Sequence, residues 1–171
     1  MIPRARASRE PFSVADSALT PAERALLVAL DELGVRFLVV GLSAAALQGA
    51  RVVTDDVDLW FADREDPRIH EAVNRAGGVW IPGNFGMMPP MIGGEALGDR
   101  FDVVLTLSGL RDFDSEYAES RVVDLDGIAV RVLPLERIVH SKRAAARPKD
   151  LAALPALEAA LAVGEDEAKP R

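Results

Sequence analysis

A six-residue apolar run, Val35-Arg36-Phe37-Leu38-Val39-Val40, stands between Gly34 and Gly41 with a helical pattern on either side. Its length, its β-branched content and its glycine fences predict a strand. A strand between helices commits the chain to a sheet with helices packed against it. The helix before it is signalled by Thr20-Pro21-Ala22-Glu23, a capping box with proline at the first helical position. Leu26, Leu27, Leu30 and Leu33 then recur at helical spacing, and Gly34 ends the helix. After the strand, the alanine-rich stretch Ser43 to Gln48 predicts a short helix closed by Gly49.

The rest of the chain continues this alternation. Val57 to Phe61 reads as a second strand, and Asp66-Pro67 opens a helix that Gly77-Gly78 ends. Residues 77–99 hold many of the glycines and prolines and read as a long irregular connection with a short strand at Val79 to Ile81. Phe101 to Leu105 is a third strand. Arg121 to Asp124 and Ile128 to Leu133 flank Asp126-Gly127, a two-residue hairpin signal. Leu135 to Ala146 is helical, and Arg147-Pro148 breaks it. A last helix carries Leu151, Leu154, Leu157 and Leu161, with Pro155 kinking it or delaying its start. The expected organisation is a flexible arm over 1–18, one domain over 19–163 and a flexible charged tail over 164–171. The fold class is α/β (α+β), a mixed sheet flanked by helices.

Composition narrows the chemistry. At 171 residues the chain suits one domain. Its 20 Lys+Arg against 27 Asp+Glu give a net charge of −7, which argues against a broad nucleic-acid-coating surface. Cysteine is absent, which excludes disulfide scaffolds, thiolate zinc sites and cysteine nucleophiles; two histidines cannot build a three-histidine metal site. The longest apolar stretch, Phe37 to Leu47, is interrupted by Gly41 and Ser43 and falls short of the roughly 20 residues of a membrane span. The arginine-bearing N-terminus has no apolar run behind it, so no secretory signal is expected and the cytoplasm is the simplest location.

Three features carry chemistry. The first is the junction Val39-Val40-Gly41-Leu42-Ser43, a strand end, a glycine and a helix start. Such a junction offers backbone N–H groups and the positive end of a helix dipole to an anion. Gly41 lets a phosphate approach the backbone, and Ser43 is placed to cap the helix and donate its hydroxyl. The second is Asp56-Val57-Asp58. Residues two apart in a strand share a face, so these carboxylates converge, and a cation between them relieves their repulsion. The plain alternative is a solvated strand end. Asp55 faces the other way as a turn residue. The third is Asp102, at the start of an otherwise apolar strand, where it needs either a metal or a salt bridge to Arg100 or Arg111. Asp112 and Asp114 lie in the polar stretch beyond.

Residues 137–149 hold Arg137, Lys142, Arg143, Arg147 and Lys149 with no carboxylate among them. They are either a solvated helix face or a source of Lys142 and Arg147 for an anion. His140 reads as a helix-surface or core-edge residue, His70 as solvent-facing and Trp60 as core. Met87, Met88 and Met91 suit a flap over the site, an apolar cap or a dimer contact.

Taken together, a glycine turn, Asp-x-Asp and a later single Asp resemble the DNA polymerase β-type nucleotidyltransferase superfamily. That signature has a small residue after the glycine, a gap of about a dozen residues, Asp-x-Asp and a third carboxylate on a neighbouring strand; here residues 44–55 separate Ser43 from Asp56. Gly49 to Trp60 looks like the Arg…Thr…Asp-Val-Asp-Leu run of small bacterial members. Leu135 to Leu151 is similar to the Lys…Arg-x-Lys-Asp segment of stand-alone members, among them abortive-infection nucleotidyltransferase toxins. The sequence departs from the pattern at Leu42, where a second Gly or Ser is usual. The resemblance implies a palm-like sheet and two Mg²⁺ ions, with Mn²⁺ as a substitute, held by Asp56, Asp58 and Asp102. It implies an NTP such as ATP bound with help from Gly41, Ser43, Lys142 and Arg147. The nucleoside monophosphate would pass to a hydroxyl of tRNA, a protein or a small molecule. A toxin–antitoxin role and a partner protein or homodimer follow from the same resemblance. The alternative is a non-catalytic, antitoxin-like nucleotide- or partner-binding module that keeps the palm fold.

Overall fold

The computed structural model describes residues 19–84 and 88–167. Its first helix, α1 (Pro21–Glu32), starts on the expected capping box: Glu23 N donates to Thr20 Oγ1 at 3.2 Å and Thr20 N donates to Glu23 Oε2 at 3.0 Å. Strand β1 (Phe37–Val40) follows and is buried throughout. Helix α2 (Gly41–Leu47) begins at the strand's end rather than at Ser43, because Gly41, at φ +63°, itself makes the turn. Its N-terminal flank, Val40, makes no side-chain cap, and Ser43 does not cap it either. Strand β2 (Val57–Phe61) buries Val57, Leu59 and Phe61 and leaves Asp58 and Trp60 half-buried on the opposite face, as period-two alternation requires.

Helix α3 (Pro67–Arg75) is capped by Asp66, which accepts from Arg68 N at 2.9 Å. The stretch expected to be mostly irregular holds a two-stranded antiparallel hairpin, β3 (Val79–Ile81) with β4 (Met91–Gly93). Three residues ending in glycine gave β4 no alternation to announce it. Strand β5 (Phe101–Val104) comes next, then α4 (Phe113–Ala118), whose six residues are too few to display a helical period. The pair β6 (Arg121–Leu125) and β7 (Ile128–Val132) closes over Asp126 and Gly127, both at positive φ, as a primed hairpin turn demands.

The chain ends in α5 (Leu135–Ala145) and α6 (Pro148–Glu167), joined at Ala146 in the left-handed conformation, φ +48°. Pro148 suits a first helical turn, where its missing N–H is not needed. The helix starts there and contains Pro155, so Pro155 does not delay it, and it runs past residue 164, where a tail was expected. Residues 1–18, the expected arm, 168–171 of the expected tail, and Met87 lie outside the described residues.

The sheet is mixed, in the order β5-β2-β1-β7-β6. β1 pairs antiparallel with β2 and parallel with β7, and β2 pairs parallel with β5. Leu38, Val39 and Leu59 from its centre meet Leu26 and Leu30 of α1, Ile69 of α3, Ile138 of α5 and Leu157 of α6 in one continuous core. Among the described residues, no helix is long and apolar enough to cross a membrane.

Candidate active site

The three aspartates sit where the sheet brings its central and edge strands together. Asp58 pairs in register with Val40 on one side and Asp102 on the other. Asp56 lies in the turn just before β2, where its carbonyl accepts from Thr54 Oγ1 at 3.1 Å. The two arginines considered as partners of Asp102 go elsewhere. Arg111 binds Glu116 and Glu119, while Arg100 donates through Nη1 to the Asp55 carbonyl at 2.8 Å and lies 3.6 Å from Glu23. Arg100 also accepts from Val57 N through its own carbonyl at 2.8 Å, so one residue fixes both its own strand and the turn that carries Asp56.

Gly41 has a specific steric task here. A Cβ added to it would stand 2.3 Å from Asp58 Oδ2, and its φ lies where side chains are strained. The group that approaches its α-carbon is therefore the Asp58 carboxylate. Ser43 is buried, and its hydroxyl is committed: it donates to the Val40 carbonyl at 2.9 Å and accepts from Asp58 N at 3.2 Å. It ties the end of β1 to the second aspartate of the Asp-x-Asp motif, and its proton is given to the Val40 carbonyl. Leu42, where the sequence departs from the pattern, is partly buried and packs against the core.

The electrostatics follow from this crowding. Burial first, and then the Asp102 charge, push the Asp58 carboxyl up to about 6; Lys142 pulls it back, Asp56 pushes it further up and Lys149 pulls it back again. Asp102 is also raised, by burial, Asp56 and Asp99. These are the signs of carboxylates gathered without enough positive charge among them. Their oxygen donors suit a hard divalent cation. Among the described residues, no group of three or more His, Asp or Glu side chains forms a ready-made cage.

The basic segment is mostly ion-paired rather than simply solvated. Arg137 meets buried Glu116 at 2.6 Å, and Arg143 meets Glu158 at 2.6 Å. Lys142 Nζ donates to Asp150 Oδ1 at 2.8 Å, and Arg147 Nε to Asp150 Oδ2 at 2.5 Å. Asp150 is wholly buried and holds both cations that the sequence singled out. Lys142 is near enough to be felt by Asp58; Arg147 is exposed and engaged with Asp150. From sequence, Lys149 counts only as one charge of the basic stretch and Asp150 only as the end of the Arg-x-Lys-Asp run, with no role of its own. The signal was present in Arg147-Pro148-Lys149-Asp150, a lone acid closing a basic stretch. His140 is exposed on α5, with Nε2 at 2.9 Å from the Gly109 carbonyl, and His70 is exposed on α3. Trp60 packs edge-on to Phe113 at 5.2 Å between centroids. Asp112 caps α4 and Asp114 pairs with Arg36.

No family model matches the sequence, and no curated protein is significantly similar to it. Solved structures are similar. The antibiotic-resistance factor ANT(2'')-Ia in solution matches with a TM-score of 0.56 and 18% identity, over 82% of this chain and 82% of that one. The same protein in complex with adenylyl-2''-tobramycin gives 0.54 and 18%, over 84% and 90%. An antigenic nucleotidyltransferase-like protein from Paracoccidioides brasiliensis gives 0.51 and 16%, over 86% and 78%. The chain thus shares its fold with these nucleotidyltransferase structures.

Proposed function

We propose that the protein is a metal-dependent nucleotidyltransferase that moves a nucleoside monophosphate from an NTP to an acceptor hydroxyl. The observation that carries this reading is the in-register pair Asp58 and Asp102, with the Asp58 carboxylate packed against the α-carbon of Gly41, where a side chain would collide with it. Asp56, Asp58 and Asp102 would hold two Mg²⁺ ions, with Mn²⁺ as a substitute. When bound, such ions neutralise charge on the triphosphate and acidify the attacking hydroxyl. The chain's own groups do the rest. Lys142, steadied by Asp150, offers a positive charge beside Asp58 to a phosphate. The first turn of α2, with no side-chain cap, leaves N–H groups for phosphate oxygens. Asp102, whose carboxyl burial and then the Asp56 and Asp99 charges raise from its ordinary value, would assist removal of the hydroxyl proton. The solved complex of ANT(2'')-Ia with an adenylylated aminoglycoside supports this class of reaction. A toxin–antitoxin role rests on the motif resemblance alone.

Incubation with each NTP, Mg²⁺ and whole-cell extract should release pyrophosphate. Asp58→Asn and Asp102→Asn should each lower release by about a thousandfold, with Asp102→Asn keeping most NTP binding. Wild-type protein that binds Mg²⁺–NTP yet releases no pyrophosphate with any NTP, in Mg²⁺ or Mn²⁺, would mark the chain as a binding module.

A further inference from the structure

Two charged side chains close to the aspartates have no part in the reaction as proposed. Glu23 of α1 and Arg100, just before β5, form an ion pair in which Oε1 and Nε stand 3.6 Å apart, and the two side chains are only 6% and 11% exposed. The carboxylate of Glu23 divides its oxygens. Oε2 accepts from Thr20 N at 3.0 Å and closes the capping box, while Oε1 faces Arg100. A capping box is closed by glutamine as well as by glutamate. A buried carboxylate, by contrast, is costly unless it is paired. The cap therefore explains neither the charge of Glu23 nor its burial, and Arg100 explains both.

Arg100 in turn holds the main chain on both sides of Asp56. Its Nη1 donates to the Asp55 carbonyl at 2.8 Å, and its own carbonyl accepts from Val57 N at 2.8 Å. Two residues further on, its strand carries Asp102, in register with Asp58. Thr54 also ties the turn, donating through Oγ1 to the Asp56 carbonyl at 3.1 Å and accepting from Asp56 N at 3.4 Å. That tie is local and moves with the turn. Arg100 instead refers the turn to β5, and Glu23 refers Arg100 to α1. A guanidinium is planar and rigid, so an acid that holds Nε also sets the direction of Nη1. A lysine ammonium, a single point on a flexible stem, cannot serve both partners in this way.

We propose that Glu23 and Arg100 are positioning residues for the metal site: the pair orients the main chain at 55–57 so that Asp56 joins Asp58 and Asp102 in binding divalent cations. The inference rests on the reading of those three aspartates as metal ligands. Both residues act through Asp56, and the effect belongs to metal affinity rather than to the chemical step. Removing the outer partners that orient metal ligands typically weakens metal binding about 10–100-fold.

The test uses the full chain and two readouts: Mn²⁺ binding, followed by the electron paramagnetic resonance of the free ion, and the Mg²⁺ dependence of pyrophosphate release with ATP and whole-cell extract. Glu23→Gln keeps the cap and loses the charge; Arg100→Lys keeps the charge and loses the fork. Each should weaken Mn²⁺ binding about tenfold and raise the Mg²⁺ needed for half-maximal release to match, with kcat at saturating Mg²⁺ within about twofold of wild type. The double variant should be about as weak as the weaker single one, because both residues lie on one path. Thr20→Ala opens the same cap and leaves the ion pair in place, so it should lower the melting temperature and leave Mn²⁺ binding within about twofold. Variants that lose melting temperature but bind Mn²⁺ as wild type does overturn the inference. So does a double variant whose losses multiply, or a Thr20→Ala that weakens Mn²⁺ as much as Glu23→Gln. Wild type that binds Mn²⁺ and releases no pyrophosphate, with the variants weakened as stated, removes the nucleotidyltransferase reading alone. Wild type that neither binds Mn²⁺ nor releases pyrophosphate removes both.

Discussion

Asp58 and Asp150 share one lysine and titrate in opposite directions. Burial raises the pKa of both. Asp58 is flanked by Asp102 and Asp56 and is pushed up to about 6. Asp150, fully buried, is gripped by Arg147 and Lys142, and these hydrogen bonds outweigh burial and bring it down to about 2. Burial alone therefore does not decide how an acid behaves; its immediate neighbours do. One end of the α5–α6 corner is a neutralised knot, and the β2–β5 junction is left with unbalanced negative charge. Under the proposed function a divalent cation would offset that imbalance, while the knot is an anchor for Lys142.

The largest effect should come from removing the space that Asp58 occupies. Gly41→Ala drives a methyl into Asp58 Oδ2 and adds left-handed strain, so the loss should exceed about 2 kcal/mol by chemical denaturation, with activity abolished. Next, the same isosteric change at the two acids should move metal-free stability in opposite directions. Asp150→Asn should cost about 2 kcal/mol, the scale of charged hydrogen bonds, and should weaken NTP binding through a loosened Lys142. Asp58→Asn should raise the melting temperature even as turnover vanishes. If both substitutions destabilise alike, the contrast between knot and imbalance is wrong.

The pH dependence sharpens the same contrast. Asp150 has a depressed folded pKa, so its contribution is complete above its ordinary value of 3.8 and disappears as pH falls through about 2. Asp58 has a raised folded pKa: the folded state holds its proton more tightly between 3.8 and about 6, so stability falls as pH rises across that window. In urea titrations without metal, Asp58→Asn should flatten the decline between pH 4 and 6. Asp150→Asn should change only the acid limb. The smallest effect is at the corner between the two helices. Ala146→Gly relieves a left-handed alanine and should stabilise by about 0.5–1 kcal/mol.

The sequence made the active-site strands legible because their cues are local. Thr20 and Glu23 form the expected box, Gly41 ends β1 and Asp126-Gly127 turns β6 into β7. Asp56 and Asp58 are two residues apart, so their convergence is a matter of strand geometry. Lys142 was readable as a charge but its anchor was not. Asp150 is eight residues away, across a corner made by an alanine in a conformation that composition does not advertise. The committed hydroxyl of Ser43 was equally hidden, since its partners, Val40 O and Asp58 N, depend on the register of β1 against β2. Helix α4 and strand β4 are too short to carry a period and owe their existence to what they pack on.

Arg100 grips the Asp55 carbonyl with its side chain and Val57 N with its main chain. The chain leaves the sheet at the end of β2, runs through α3 and the β3–β4 hairpin, and re-enters as β5 beside the start of β2. The spacing of the acids is thus set by that single clasp and by the β2–β5 register, independently of the length of the excursion from 62 to 99. Lengthening such an excursion raises its closure cost only logarithmically. Residues 62–99 can therefore lengthen or change without altering the register that sets the spacing of Asp58 and Asp102.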